Sequence, residues 1–146
     1  MNREKRFEIA AQSLAVAREE NRNGNVILVE GKRDVHALKQ LGFTGSIEQL
    51  NRGWSVDRFV VWIVENFTSP PIVLMDWDRT GGRLQRDIQR RMESLDVIIS
   101  DELRRNLSKT IKPETLCVED LASLTEHLLP LMDVIDYEGA NVPPSL

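Results

Sequence analysis

The side chains of this chain whose types and spacing could do chemistry are mostly acids. Glu30 closes the run NVILVEG, and Asp76 and Asp78 close the run IVLMDWD. In an extended segment an i, i+2 spacing sends both aspartates to one side and Trp77 to the other. Two carboxylates about 6 Å apart repel by roughly 3 kcal/mol at an effective dielectric near 20, so three of them together call for a cation. His36 and His127 are the only histidines and Cys117 the only thiol, so the donors are hard oxygens, which favours Mg²⁺ or Mn²⁺ over zinc. The plainer alternative is that Asp76 and Asp78 start a loop and cap the helix after Gly81.

Positioning these acids requires strands that end where they stand. Phe7, Ala10, Ala11, Leu14 and Ala17 recur at helical spacing and predict a docking helix over residues 3–20, stopped at Asn23-Gly24. Val26 to Val29 is short, apolar and β-branched, as expected of a strand buried on both faces. A helix over 34–41, closed at Gly42, and a weaker strand over 46–50 complete one βαβ unit. Ser55 caps a second helix to about Asn66, residues 72–78 form the strongest strand, and Gly81-Gly82 leads into a helix ending near Ser94. Residues 97–99 and 115–118 are further short strands with a helical piece over 101–107 between them. A last helix over 119–129 stops near Pro130. The alternation predicts a Rossmann-like α/β fold, a mostly parallel sheet of four or five strands with helices on both faces. In such a sheet the crevice lies beyond the carboxyl ends of the strands, where strand order reverses, and that is where the acids fall if the first and third strands are neighbours.

The chain has 146 residues, enough for one domain, read as a docking helix over 1–24, a core over 25–130 and a C-terminal tail over 131–146. With 19 Lys and Arg against 23 Asp and Glu, the net charge of −4 excludes a general polycationic coat, so contact with a polyanion has to be local. One cysteine cannot form an internal disulfide and fits a reducing compartment. No apolar run reaches the roughly 18 residues of a membrane span, and the N-terminus lacks a signal-peptide core. A cytoplasmic chain with no membrane partner is expected.

The segment VEGKRDVHALKQLGF, followed about 45 residues on by MDWDRTGGRL, resembles the toprim domain. That domain is the catalytic core shared by topoisomerases, bacterial-type primases, overcoming-lysogenization-defect nucleases and ribosomal-RNA maturation nucleases. The resemblance covers roughly residues 25–95. It implies that Glu30 is the family's general acid or base and that Asp76 and Asp78 are its metal-binding pair, with Glu30 completing the metal site. Gly31 and Gly53 match its turn glycines, Asp34 the acid of the E-G-x-x-D pattern, and Gly81 the glycine of D-x-D-R-x-G. Asp34 is also read as a first-turn helix acid. VEDL at 118–121 resembles the fourth-strand region of some members. The third acid of many topoisomerases is replaced by Thr80, and Tyr137 stands alone in the tail, so strand passage through a tyrosine link is excluded.

The expected activity is Mg²⁺- or Mn²⁺-dependent phosphoryl transfer on nucleic acid, with phosphodiester hydrolysis first and RNA favoured over DNA. Arg83, Arg86 and Arg90 form one charged stripe that begins beside the acids, and Lys32, Arg33 and Arg79 extend the footprint. Arg104, Arg105, Lys109 and Lys112 offer a second patch. An ordinary solvated helix face is the alternative for the stripe. Trp62 is read as core, Trp77 as a candidate substrate contact and Cys117 as buried filler. The N-terminal helix is read as a cover for the sheet or for a dimer surface, leaving a homodimer or a protein complex as partners alongside nucleic acid. Two rivals remain: a D-x-D-x-T phosphatase with Asp76 as nucleophile, and a non-catalytic binding or adaptor module.

Overall fold

The computed structural model describes residues 1–141. Its elements are α1 (Arg3–Arg22), β1 (Ile27–Val29), α2 (Lys32–Gln40), β2 (Ile47–Gln49), α3 (Val56–Asn66), β3 (Ile72–Val73), α4 (Arg79–Glu93), α5 (Glu102–Thr110), a 3-10 helix (Glu119–Leu124), α6 (Thr125–Ile135) and α7 (Tyr137–Ala140). The sheet is parallel, in the order β2-β1-β3, with Ile27 opposite both Ile47 and Ile72. The chain moves one way from β1 to β2 and then returns past β1 to β3. Strand order therefore reverses between β1 and β3, the condition for a crevice at their carboxyl ends.

Alternation along the strands divides the core into two layers. Ile27, Val29, Ile72 and Leu74 face α1, α2, α5 and α6, while Val26, Leu28, Val73 and Met75 face α3 and α4. Each of these side chains is buried, and full burial of an aliphatic side chain contributes about 2 kcal/mol. Phe7, Ala10, Ala11, Leu14 and Ala17 of α1 all enter the first layer, and the small alanines let the helix lie close to α5 and α6. Ser55 Oγ accepts from Arg58 N at 3.1 Å and starts α3 where its sequence places it.

The sheet has three strands among the described residues, not four or five. The run 72–78, the strongest strand in the sequence, contributes only Ile72 and Val73 to the ladder, because side chains take over its hydrogen bonds. Gln85 of α4 accepts from Met75 N at 3.2 Å and donates to Val73 O at 2.9 Å, taking the place of a neighbouring strand. Residues 97–99 reach the sheet only through a single parallel bridge between Ser100 and Ile72, and Ile98 is 79% exposed, so nothing pairs the rest of that segment. Residues 115–118 form no strand: Thr115 Oγ1 accepts from Cys117 N and donates to Asp120, local bonds that curl the chain. VEDL then starts the 3-10 helix rather than a fourth strand.

Within the expected tail over 131–146, α6 runs on to Ile135 and α7 spans Tyr137–Ala140. Pro130 lies inside α6, on its exposed side, where the carbonyl it cannot bond is that of exposed Glu126. Asp136, 6% exposed, accepts from Arg18 Nε at 2.8 Å and from both Arg22 Nη atoms at 2.8 and 3.0 Å. Residues 142–146 of the expected tail lie outside the described residues. No helix among the described residues is long and apolar enough to cross a membrane.

Candidate active site at the switch point

Because β1 pairs with β3, Glu30 and the Asp76–Asp78 segment emerge side by side at one rim. Glu30 Oε1 accepts from Asp76 N at 3.2 Å, a direct bond between the two motifs. Asp76 Oδ1 accepts from Val118 N at 2.8 Å, and Asp78 Oδ1 accepts from Gly81 N at 2.7 Å as the N-cap of α4. The capping role foreseen as the plain alternative is therefore real for Asp78, whereas Asp76 binds across the rim and caps no helix. Each of the three carboxylates has one oxygen engaged by a main-chain N–H and one that accepts no hydrogen bond from a described residue.

The electrostatics are those of crowded acids. Burial pushes the Asp76 carboxyl up to about 6 against the Val118 N–H bond that lowers it, and the charges of Glu30, Asp34 and Asp78 add to the rise. Burial also raises Glu30, opposed by the Asp76 N–H and assisted by Asp34 and Asp78. Asp34, 6% exposed, accepts from Gly31 N at 3.0 Å at the start of α2, and burial raises its carboxyl too. It is a helix-start acid that also adds negative potential to the rim.

The glycines divide by role. Gly81 has no room for a side chain, since a Cβ there would overlap the Asp76 carbonyl oxygen; its absence lets α4 begin tight against the end of β3. Gly53, at φ +79°, makes the left-handed turn after β2. Gly31 has φ −146°, extended backbone open to any residue, so its match to a turn glycine has no conformational cause.

Lys32, Arg33, Arg79, Arg83, Arg86 and Arg90 are all exposed, the first two at the start of α2 and the others along α4. None forms an ion pair among the described residues: Asp87 is taken by Arg91, and Glu93 accepts from Gln89. Arg104, set by the sequence in a second patch, belongs at the rim. Its Nε and Nη2 donate to the carbonyls of Met75 and Asp76 at 3.0 to 3.3 Å, and burial lowers its pKa. Its position in α5 carries no sequence signal, because the contact joins segments 28 residues apart.

Other expectations need correction. Trp77 is 6% exposed, with Nε1 donating to Thr115 O at 2.7 Å, so it is core and no substrate contact. Cys117 is only partly buried, and the charges of Asp76 and Asp78 join burial in raising its thiol pKa, which places it beside the acids. Trp62 packs edge-on against Trp54 and Phe67, as a core-facing aromatic should.

Whether this rim suits a divalent cation depends on donor type and donor spacing. The donors fit: all are carboxylates, each with one oxygen to spare, the set preferred by Mg²⁺ and Mn²⁺. The spacing is looser, because among the described residues no three His, Cys, Asp or Glu side chains are grouped closely enough to hold an ion as they stand. Glu30, Asp76 and Asp78 would have to draw together around the ion.

A UPF0292 protein of Methanosarcina barkeri is 32% identical over 124 residues, covering 85% of each chain. A UPF0292 protein of Pyrococcus furiosus is 32% identical over 103 residues, 70% of this chain and 76% of its own. A third, from Thermococcus onnurineus, is 29% identical over 107 residues, 73% of this chain and 78% of its own. No family model matches the chain. No solved structure matches it either.

Proposed function

This chain belongs to the UPF0292 protein family, and we propose that it is a divalent-metal-dependent enzyme of phosphoryl transfer on nucleic acid, built on a toprim-type core. Phosphodiester hydrolysis is the reaction favoured, with RNA ahead of DNA, in the cytoplasm. The observation that carries the reading is the bond from Asp76 N to Glu30 Oε1 at the strand-order switch, which joins the two motifs of the resemblance in one acidic rim.

In this reading Asp76 and Asp78 would hold Mg²⁺ or Mn²⁺, with Glu30 beside them. The bound ion would supply electrostatic stabilisation of the charge that develops on a phosphodiester's oxygens. Glu30 moves the proton. Its Oε1 is tied to Asp76 N, so Oε2 is the atom left to give or take it, and its raised pKa favours the protonated form that a general acid needs. Val118 N and Gly81 N keep the two aspartates from swinging away, and Arg83, Arg86 and Arg90 on α4, which form no ion pair among the described residues, offer a track for the phosphate backbone.

A second reading, a non-catalytic nucleic-acid-binding or adaptor module, is favoured by one observation: the acids are not closed into a ready ion shell. The phosphatase reading gains nothing, since Asp76 follows the third strand rather than the first. The decisive experiment is cleavage of labelled single-stranded, duplex and structured RNA and DNA with Mg²⁺ or Mn²⁺. Turnover that falls at least a hundredfold in Asp76→Ala is the expected result. Cleavage unchanged by that substitution sinks the mechanism, and metal-dependent binding without turnover across the panel favours the adaptor.

A further inference from the structure

Two guanidinium groups from different helices converge where α4 begins. Arg104 Nη2, from α5, and Arg86 Nη1, from one turn further along α4, each lie 3.5 Å from the point a Cβ on Gly82 would occupy. Neither arginine forms an ion pair among the described residues, although eight other basic side chains pair with acids there. The two cations repel each other, and the amino-terminal turn of α4 adds further positive potential at the same place.

Arg104 is also held still. Its Nε and Nη2 are fixed by the carbonyls of Met75 and Asp76, which leaves Nη1 with no hydrogen bond among the described residues. That atom is not sealed in the interior. A half-buried guanidinium locked by main-chain carbonyls, with a free donor and a second cation beside it, is poised for an anion with several oxygens. The charges of Asp78, Asp101 and Asp76 all act on Arg104, so the pair adjoins the acidic rim.

We propose that Arg104 and Arg86 form a phosphate subsite, and that in a nucleic-acid substrate they hold the non-bridging oxygens of a phosphodiester brought to the rim. The assignment rests on the phosphoryl-transfer reading for its substrate, but not for its test. Two cations beside the acids would let the rim draw in a polyanion that its own carboxylates repel.

The test is metal-free binding of inorganic phosphate to the full chain, followed by calorimetry or by ³¹P line broadening. Arg86→Gln and Arg104→Gln are each expected to weaken phosphate binding at least fivefold. Arg91→Gln, which removes the same charge from the same helix, should change it less than twofold. Arg86 is exposed and makes no hydrogen bond among the described residues, so its variant keeps the test valid if Arg104→Gln fails to fold. Wild-type chain that binds no phosphate, an Arg86→Gln variant that binds it as well as wild type, or equal weakening by Arg91→Gln overturns the subsite. Pair-dependent phosphate binding without cleavage of any nucleic acid supports the subsite and overturns the nuclease reading. Cleavage without pair-dependent phosphate binding does the reverse.

Discussion

A carboxylate held half-buried among other carboxylates costs stability, and Asp76 shows the sign of that cost. Its pKa is raised from 3.8 to about 6, so the folded chain binds its proton more tightly than the unfolded chain does. Through this group alone, the folded state is favoured most below about pH 4, loses stability as pH rises through 6, and is level beyond it. Asp76→Asn keeps an oxygen to accept from Val118 N and removes the charge. It should therefore raise stability by about 2 kcal/mol at pH 7.5, allowing for solvent screening, and by almost nothing at pH 4. Denaturant melts at the two pH values check this. A gain of equal size at both would mean that charge crowding is not the cause. The same substitution is expected to abolish cleavage, so a variant both more stable and inactive is the signature of a functional acid.

Among the elements, the short β3 is the informative one. Its apolar run looks like a long strand, yet the strand ends at Val73: Leu74 N still donates to Leu28 O at 2.8 Å, while on the other edge Gln85 takes Val73 O and Met75 N. Gln85→Leu keeps the volume and removes both bonds, leaving Met75 N and Val73 O unpaired in the core. A loss of about 3 kcal/mol is expected, together with faster hydrogen exchange at the Met75 amide. Exchange at Met75 as slow as in wild type would show that the glutamine is not what holds the acid-bearing segment. The element boundaries nearest the site were the most readable in sequence, because local chemistry sets them: Ser55 caps α3, Asp78 caps α4, and Gly24, Gly42 and Gly53 adopt the positive φ that glycine permits. Residues 97–99 and 115–118 misled for the opposite reason. Their apolar composition suits a strand, but a strand exists only where a neighbour pairs with it, and pairing is not a local property.

For the whole molecule, α1 and the end of α6 are joined by charge. Asp136 at the end of α6 receives Arg18 and Arg22 of α1, and Arg18, 1% exposed, also donates to Leu41 O. Burial would raise the Asp136 carboxyl, but its bonds to the two arginines prevail and lower it to about 2. A depressed acid stabilises the fold above its unfolded pKa near 3.8, and that stability is lost as pH falls towards 2. Asp136→Asn should cost about 3 kcal/mol at pH 7, since it removes the charge shared by Arg18 and Arg22 and leaves buried Arg18 with Asp133 alone, and the deficit should shrink between pH 4 and 2. Thermal melts across that range test it. A deficit independent of pH would assign the role to packing instead. This tie also explains why α6 continues through Pro130 to Ile135 although the sequence suggests an earlier stop.

By itself the sequence determined that apolar strand-forming runs lead into Glu30 and into the Asp76–Asp78 segment, that helices begin just after these acids, and that apolar faces lie on both sides of a sheet. These follow from periodicity, caps and turn glycines, which act over a few residues. Only the tertiary structure decided that β1 lies beside β3, that the sheet stops at three strands, and that Arg104 reaches the rim. Each of those depends on contacts between segments distant along the chain, formed because the two faces of the sheet must be covered and the main-chain groups beyond β3 must find partners.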